Sequence, residues 1–285
     1  MSATEASATD ATGSPTTYNL AFVIADGSAC TPSWNGTDAI GDAAVTSRIA
    51  ALKASGARVR VSFGGASGED LAETCAGASA LAGAYGAALD AAGSSQADFD
   101  VEGAALTDSA SVALRSEAIA LLQKERTGLK VSFTLPVMPS GLDAGGLALL
   151  ESANDHAVTV STVDIMTMNY GSAYTGDMGD YAETSARAAH GQLEKIFGLS
   201  HAAAWRGLAL TSMIGDNDVA RETFGLADAA QVRAFAEEKD IAWVSMWSTS
   251  RDRQCSGEAA SSHDAATDCS GVEQSAGAFA KAFAG

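Results

Sequence analysis

The chain has 285 residues, 47% of them hydrophobic, with 17 Lys plus Arg against 35 Asp plus Glu and a net charge of −18. That length and apolar content suit one large core of α/β-barrel size. The charge repels nucleic acid and no basic patch offsets it, and no run of 18 apolar residues offers a membrane span. The acid is spread along the chain and only six lysines occur. Such a surface suits high salt, where self-repulsion is screened; an ordinary acidic protein from a GC-rich genome would share the composition.

Residues 1–16 are mostly Ser, Thr, Ala and acid, without the apolar stretch of an intact export signal. Strand-like runs follow at 18–25, 58–64, 97–102, 129–135, 163–169, 207–213 and 241–247. Helical periodicity occupies 39–55, 70–92, 108–127, 143–155, 179–197 and 227–238, and 271–284 reads as a final helix. Strands alternating with helices give parallel sheets through right-handed crossovers. The strands are apolar almost throughout, as expected when both faces are covered. A (β/α)8 barrel and a doubly wound sheet both fit. Glu102, Asn169, Met213 and Trp247 stand where strands end, which is where a barrel keeps its active site. No GxGxxG or GxxxxGK[ST] pattern follows a strand, which disfavours nucleotide binding. The count is seven strands rather than eight, because no strand-like run precedes Tyr18.

Four cysteines, Cys30, Cys75, Cys255 and Cys269, allow three pairings. Cys255 and Cys269 share one polar stretch and could staple a loop, while Cys30 and Cys75 would join two loops. Disulfides imply an extracellular setting. Zinc is disfavoured, because no CxxC pair occurs and the four His are scattered.

The stretch QADFDVEG at 96–103 puts Asp98, Asp100 and Glu102 two residues apart. On a strand these acids share one face, and Phe99 and Val101 share the other. Three readings compete. The acids could be a solvated edge, but the order of elements makes this strand central. They could ligate Mg²⁺ or Ca²⁺, but neighbouring elements offer no further acidic ligands. They could form an acid/base relay. Buried like charges cannot all stay ionised, so one proton is shared and the outermost carboxyl stays protonated near neutral pH, as a general acid requires.

Six motifs in order carry a resemblance that spans the chain from residue 18 onward. DFDVEG resembles the DxxDxDxE signature of glycoside hydrolase family 18, the chitinases. VSFGGASG (61–68) is similar to its SxGG motif, IMTMNYG (165–171) to its MxYD motif, and SMWSTSRD (245–252) supplies the Trp of the last strand. TSMIGDND (211–218) and CTPSWNG (30–36) resemble the bacterial and haloarchaeal members in particular. The resemblance implies a (β/α)8 TIM barrel over residues 17–285, after an N-terminal helix or disordered segment at 1–16. It implies secreted, monomeric hydrolysis of β-1,4-linked N-acetylglucosamine polymers (chitin or chito-oligosaccharides) with retained anomeric configuration, and no cofactor, metal, nucleic acid or membrane.

In that mechanism the nucleophile is the acetamido oxygen of the substrate itself, an exception to the two-carboxylate scheme. Glu102 protonates the leaving oxygen and then activates water. Asp100 orients the acetamido nitrogen, and Asp98 holds Asp100 and shares its proton. Asn169 hydrogen-bonds the acetamido group. Trp247 floors the distorted sugar, and Trp34, expected in an exposed loop, could stack on a sugar face. Both also fit plain packing. Met166, Tyr170, Met213, Asn217 and Asp218 are candidates for cleft walls. Ser62, Gly64 and Gly65 are expected to serve barrel packing.

The chain departs from the family pattern in four places. Ser95 replaces the first Asp of the signature. Asn169 stands where many members carry Asp; plant-type members resemble this Asn arrangement, and Asn can still hydrogen-bond the acetamido group but cannot ionise. Met168 replaces Tyr and removes a hydroxyl. The first strand of the barrel is missing or irregular, so strands 18–25 and 241–247 should flank a gap with exposed edges. The rival readings are an endo-β-N-acetylglucosaminidase acting on N-glycans, a non-catalytic chitin-binding member, which would usually lack the Glu, and a metal-dependent barrel enzyme.

Overall fold

The computed structural model describes residues 17–256, 265–266 and 268–284. The expected N-terminal segment, 1–16, lies outside them. The described chain divides into two compact units, the first built from 17–135 and 144–163, the second from 136–143 and 164–284.

In the first unit, β1 (Thr17–Asp26) leads into a hairpin with β2 (Ala29–Trp34) and the two-residue β3 (Asp38–Ala39). There follow α1 (Ala43–Ala54), β4 (Arg58–Gly64), α2 (Leu71–Thr74), α3 (Ala78–Ala92), β5 (Gln96–Asp100), α4 (Gly103–Thr107), α5 (Ser109–Glu125), β6 (Lys130–Pro136) and α6 (Ala144–Asp155). Strand β7 (Val160–Met166) begins in this unit and ends in the other. β1 runs parallel to β4, β4 to β5 and β5 to β6, so each crossover carries helix. Apolar side chains on the helix-facing side of this sheet interlock. Phe99 stacks on Phe63 at 5.3 Å and meets Tyr85 edge-on at 5.0 Å. Helix starts follow local chemistry: Asp42, Asp70 and Asp108 each accept hydrogen bonds from the first-turn N–H groups of α1, α2 and α5.

The second unit holds α7 (Met178–Phe197), α8 (His201–Arg206), β8 (Leu208–Met213), the short pair β9 (Gly215–Asp216) and β10 (Thr223–Phe224), α9 (Leu226–Lys239), β11 (Trp243–Trp247), a 3-10 turn at Thr249–Arg251 and α10 (Ala278–Ala284). β8 and β11 pair in parallel from Ala209–Trp243 to Met213–Trp247. Buried Arg251 braces the turn after β11, donating to the carbonyls of Ile214, at 2.9 Å, and Ala266.

All seven expected strands form, each within three residues of its expected bounds. The expected helix at 70–92 is two helices, split at Cys75–Gly77, and of 271–284 only Ala278–Ala284 is helical. Both disulfides take the Cys30–Cys75 and Cys255–Cys269 pairing. No helix among the described residues is long and apolar enough to cross a membrane.

Candidate active site

Asp98 and Asp100 lie on β5, and Glu102 stands just beyond it with extended backbone (φ −134°, ψ 166°). The expected strand to 102 therefore ends at Asp100, yet the alternation of side chains continues. Val101 N–H still donates to the Thr134 carbonyl at 3.1 Å, which carries the ladder one residue past the strand. Phe99 and Val101 turn away and are buried. The three acids share the opposite face, as the period of two requires.

Asp98 is 1% exposed and held by hydroxyls from both neighbouring strands. Ser62 of β4 donates to Oδ2 at 2.7 Å, Ser132 of β6 to Oδ1 at 2.6 Å, and Thr134 to both oxygens at 3.0 Å. The parallel register makes this possible, because Ser62 and Ser132 are the direct partners of Asp98. Burial pushes the Asp98 carboxyl above its usual range, while the charge of Arg60 and the three hydroxyls oppose the rise. Arg60 is itself oriented by Asn19 at 3.0 Å and Gln96 at 3.3 Å.

Asp100 is 7% exposed and Glu102 half-buried. Burial also raises the Glu102 carboxyl above its usual range, against a hydrogen bond with Asp100 that lowers it. The glycines of SFGG fit around this strand end. A Cβ on Gly64 would stand 2.1 Å from the Asp100 carbonyl oxygen, and one on Gly65 2.7 Å from the Phe22 ring. Gly65 N–H donates to the same Asp100 carbonyl at 2.9 Å. Serine, glycine and glycine thus anchor the first acid, clear space beside the second and tie its backbone. The packing expected of Ser62, Gly64 and Gly65 is packing around the acids themselves. The column can keep one carboxyl neutral at its outer end, which is what proton donation to a leaving group requires.

Trp34 is not in an exposed loop. It ends β2, is 5% exposed, and donates its indole N–H to the Ile40 carbonyl at 3.1 Å. Its strand begins beside the Cys30–Cys75 bond.

In the second unit, exposed Asn169 holds a left-handed backbone (φ +54°) and donates to Asp218 Oδ2 at 3.0 Å, while its oxygen accepts from Val219 N–H at 3.2 Å. Buried Glu222, which the sequence reading passed over, clamps the same loop by accepting from the N–H groups of Tyr170 (3.0 Å) and Gly171 (2.7 Å). Tyr170 is buried against Tyr174 and Tyr181, and its phenol is pushed well up by burial. Met213 and Asn217 are also buried, and the Asn217 amide braces the Met213 and Gly215 carbonyls at 2.9 and 3.0 Å. Met166 and Trp247 are half-buried at the ends of β7 and β11.

No family model matches the chain. It is 32% identical over 249 residues, 82% of this chain, to a probable bifunctional chitinase/lysozyme of Escherichia coli (strain K12). It is 32% identical over 219 residues, 72% of this chain, to Endochitinase 11 of Metarhizium anisopliae. It spans 28% and 42% of the lengths of those two relatives. Among solved structures it resembles active domain 2 of the thermostable chitinase of Pyrococcus furiosus, in crystals of catalytic-site mutants complexed with chito-oligosaccharides. The TM-score is 0.83 at 28% identity, over 94% of this chain and 85% of that one. The chain is thus similar along most of its length to chitinase catalytic domains. The structural likeness gives the fold as a (β/α)8 barrel, and β1, β4, β5, β6, β7, β8 and β11 are its strands among the described residues. The SFGG and DFDVE stretches, which carry the resemblance drawn from the sequence, are the two that the hydroxyl cradle joins.

Proposed function

We propose that the chain hydrolyses β-1,4-linked N-acetylglucosamine polymers by the retaining, substrate-assisted route. The observation that carries the reading is the graded column of acids: Asp98 fully buried in hydroxyls, Asp100 next, and Glu102 outermost with its carboxyl held up by burial. Glu102 gives its proton to the glycosidic oxygen as the bond to the anomeric carbon breaks, and the substrate's acetamido oxygen forms the new bond there. Asp100 accepts the acetamido N–H and stabilises the oxazolinium cation. Glu102, now ionised, takes a proton from water, whose oxygen opens the ring with net retention. Asp98 fixes the base of the column. The likeness to a chitinase crystallised with chito-oligosaccharides supports the substrate class. For the second unit, Trp247, Asn169, Asp218 and Met166 are proposed as sugar-contacting residues on the family resemblance. Trp34, Tyr170, Met213 and Asn217 are proposed to support the site through packing, in keeping with their burial.

We also propose a secreted, salt-adapted, monomeric protein. Two disulfides and a net charge of −18 support the first two properties. The test is hydrolysis of chito-oligosaccharides in high and low salt by wild type and Glu102→Gln. The variant should lose about 10²–10⁴ in kcat, the share of a positioned general acid. Equal rates would remove Glu102 from the mechanism. Cleavage of N-glycan cores in preference to chitin oligomers would redirect the substrate and leave the acids in place.

A further inference from the structure

We propose that His190, Glu194 and His201 form a binding site for one divalent transition-metal ion of the zinc class, which staples α7 to α8. The two histidines are eleven residues apart in sequence, so spacing alone hides them. His190 and Glu194 lie four apart in the last turns of α7 and share a face. The chain then reverses at Gly198, whose left-handed backbone (φ +61°) closes α7, and Ser200 caps α8 by accepting from Ala203 N–H. His201 is the first residue of α8, and the turn delivers it to the same point.

The distances suit an ion. Glu194 Oε2 stands 3.8 Å from His190 Nδ1, and Glu194 Oε1 stands 3.5 Å from His201 Nδ1. One ligand atom from each residue lies within 4.8 Å of the others. Tetrahedral ligation at about 2.0–2.1 Å puts ligand atoms roughly 3.4 Å apart, so a small contraction brings all three onto one ion. The neutral His190 ring has one tautomer that fits its surroundings. Its Nε2 lies 2.9 Å from the His201 carbonyl oxygen and must donate to it, which leaves the Nδ1 lone pair turned toward Glu194. A backbone carbonyl on the far nitrogen is the usual outer support of a metal-bound His. Trp205 stacks on the His190 ring at 4.0 Å and fixes its plane.

His201 is the adaptable ligand. Its side chain is 76% exposed, and its Nε2 accepts a long hydrogen bond from the Trp205 indole at 3.3 Å. Ligation through Nδ1 places the proton on Nε2 and exchanges that weak contact for a coordinate bond. The solvent side of His201 leaves room for water as a fourth ligand. Two imidazoles and one carboxylate suit zinc, nickel or copper, whereas Mg²⁺ and Ca²⁺ prefer all-oxygen shells. Cation binding also offsets part of the negative charge of the chain.

The test is calorimetric titration of the chelator-treated chain with zinc chloride and, separately, magnesium chloride, in high salt to screen the diffuse acid. Thermal unfolding is followed with and without zinc. The variants are Glu194→Gln, His201→Ala and, as a control outside the trio on the same helix, Glu183→Gln. One zinc per chain should bind, and zinc but not magnesium should raise the melting temperature. Glu194→Gln and His201→Ala should each weaken zinc at least tenfold and abolish the shift measured against their own metal-free melts. Glu183→Gln should change neither. The absence of stoichiometric zinc binding, or binding that survives both trio variants unchanged, overturns the site.

Discussion

Asp98 in the first unit and Asp164 in the second are built alike and end differently. Each sits within a strand, each is 1% exposed, and each accepts a hydroxyl hydrogen bond from another strand. Asp98 takes three hydroxyls, from Ser62, Ser132 and Thr134. Asp164 accepts from Thr211 at 2.7 Å and from the Trp243 indole at 3.3 Å, and Thr211 in turn meets Ser245. The next residues on the same side are Asp100 and then Glu102 in the first case, whereas β7 ends at Met166, with no acid following at that period. A buried aspartate is therefore a strand-to-strand fastening wherever hydroxyls reach it. Only where two further acids follow at the same period does it become the root of a proton-handling column.

The comparison breaks most visibly if the two aspartates are removed in turn. Asp98→Ala strands three buried hydroxyls and should cost about 3–5 kcal/mol, with a loss of activity beyond what unfolding explains. Asp164→Ala removes the acceptor for Thr211 and the Trp243 indole and should cost about 1–3 kcal/mol, with kcat per folded molecule retained. Urea unfolding combined with active-site titration separates the two. Equal loss of kcat in both would show that the column is not special to the first unit.

A narrower test concerns the glycine that makes room for the column. Gly64→Ala combines a left-handed φ of +97° with a Cβ 2.1 Å from the Asp100 carbonyl, and should destabilise by about 3 kcal/mol while lowering kcat. Gly103→Ala, also at positive φ (+54°) but with nothing within 4 Å, should cost about 1 kcal/mol. Similar costs at both would mean that the Asp100 carbonyl moves aside freely. The smallest contrast lies in the disulfides, one in each unit. They close loops of 45 and 14 residues, so chain entropy assigns about 4 and about 3 kcal/mol to Cys30–Cys75 and Cys255–Cys269. Paired Cys→Ser variants measured by denaturant unfolding should differ by about 1 kcal/mol, the first costing more.

Much of this architecture was legible in the residues, for physical reasons. Strands buried on both faces write unbroken apolar runs, so β4 falls on 58–64 as expected. The acid column writes a period of two, and Ser132 and Thr134 in KVSFTLP repeat that period one strand later, a signal left unread. The β2–β3 hairpin was invisible because ACTPSW contains Pro32 and little apolar periodicity, so Trp34 was misassigned to a loop. β7 runs Val160–Met166 rather than 163–169: the strand-like residues continue through Met168, but the chain leaves the strand after Met166 and Asn169 takes a left-handed backbone. The reach of Glu222 back to Tyr170 and Gly171 spans about fifty residues and has no sequence signature. The meeting of His190 with His201 depends on a turn at Gly198 that helix periodicity does not encode.

The most direct measurement is the titration of the Glu102 carboxyl itself, by infrared difference spectroscopy of wild type against Glu102→Gln. Burial raises this group, so the folded chain favours the protonated form, proton donation is available below the folded pKa, and both are lost as pH climbs through it. The account predicts a titration above the ordinary glutamate value of about 4.3, coincident with the alkaline limb of kcat/KM. A carboxyl that titrates at or below that value, or a limb that persists unchanged in a residually active Glu102→Gln, would contradict it.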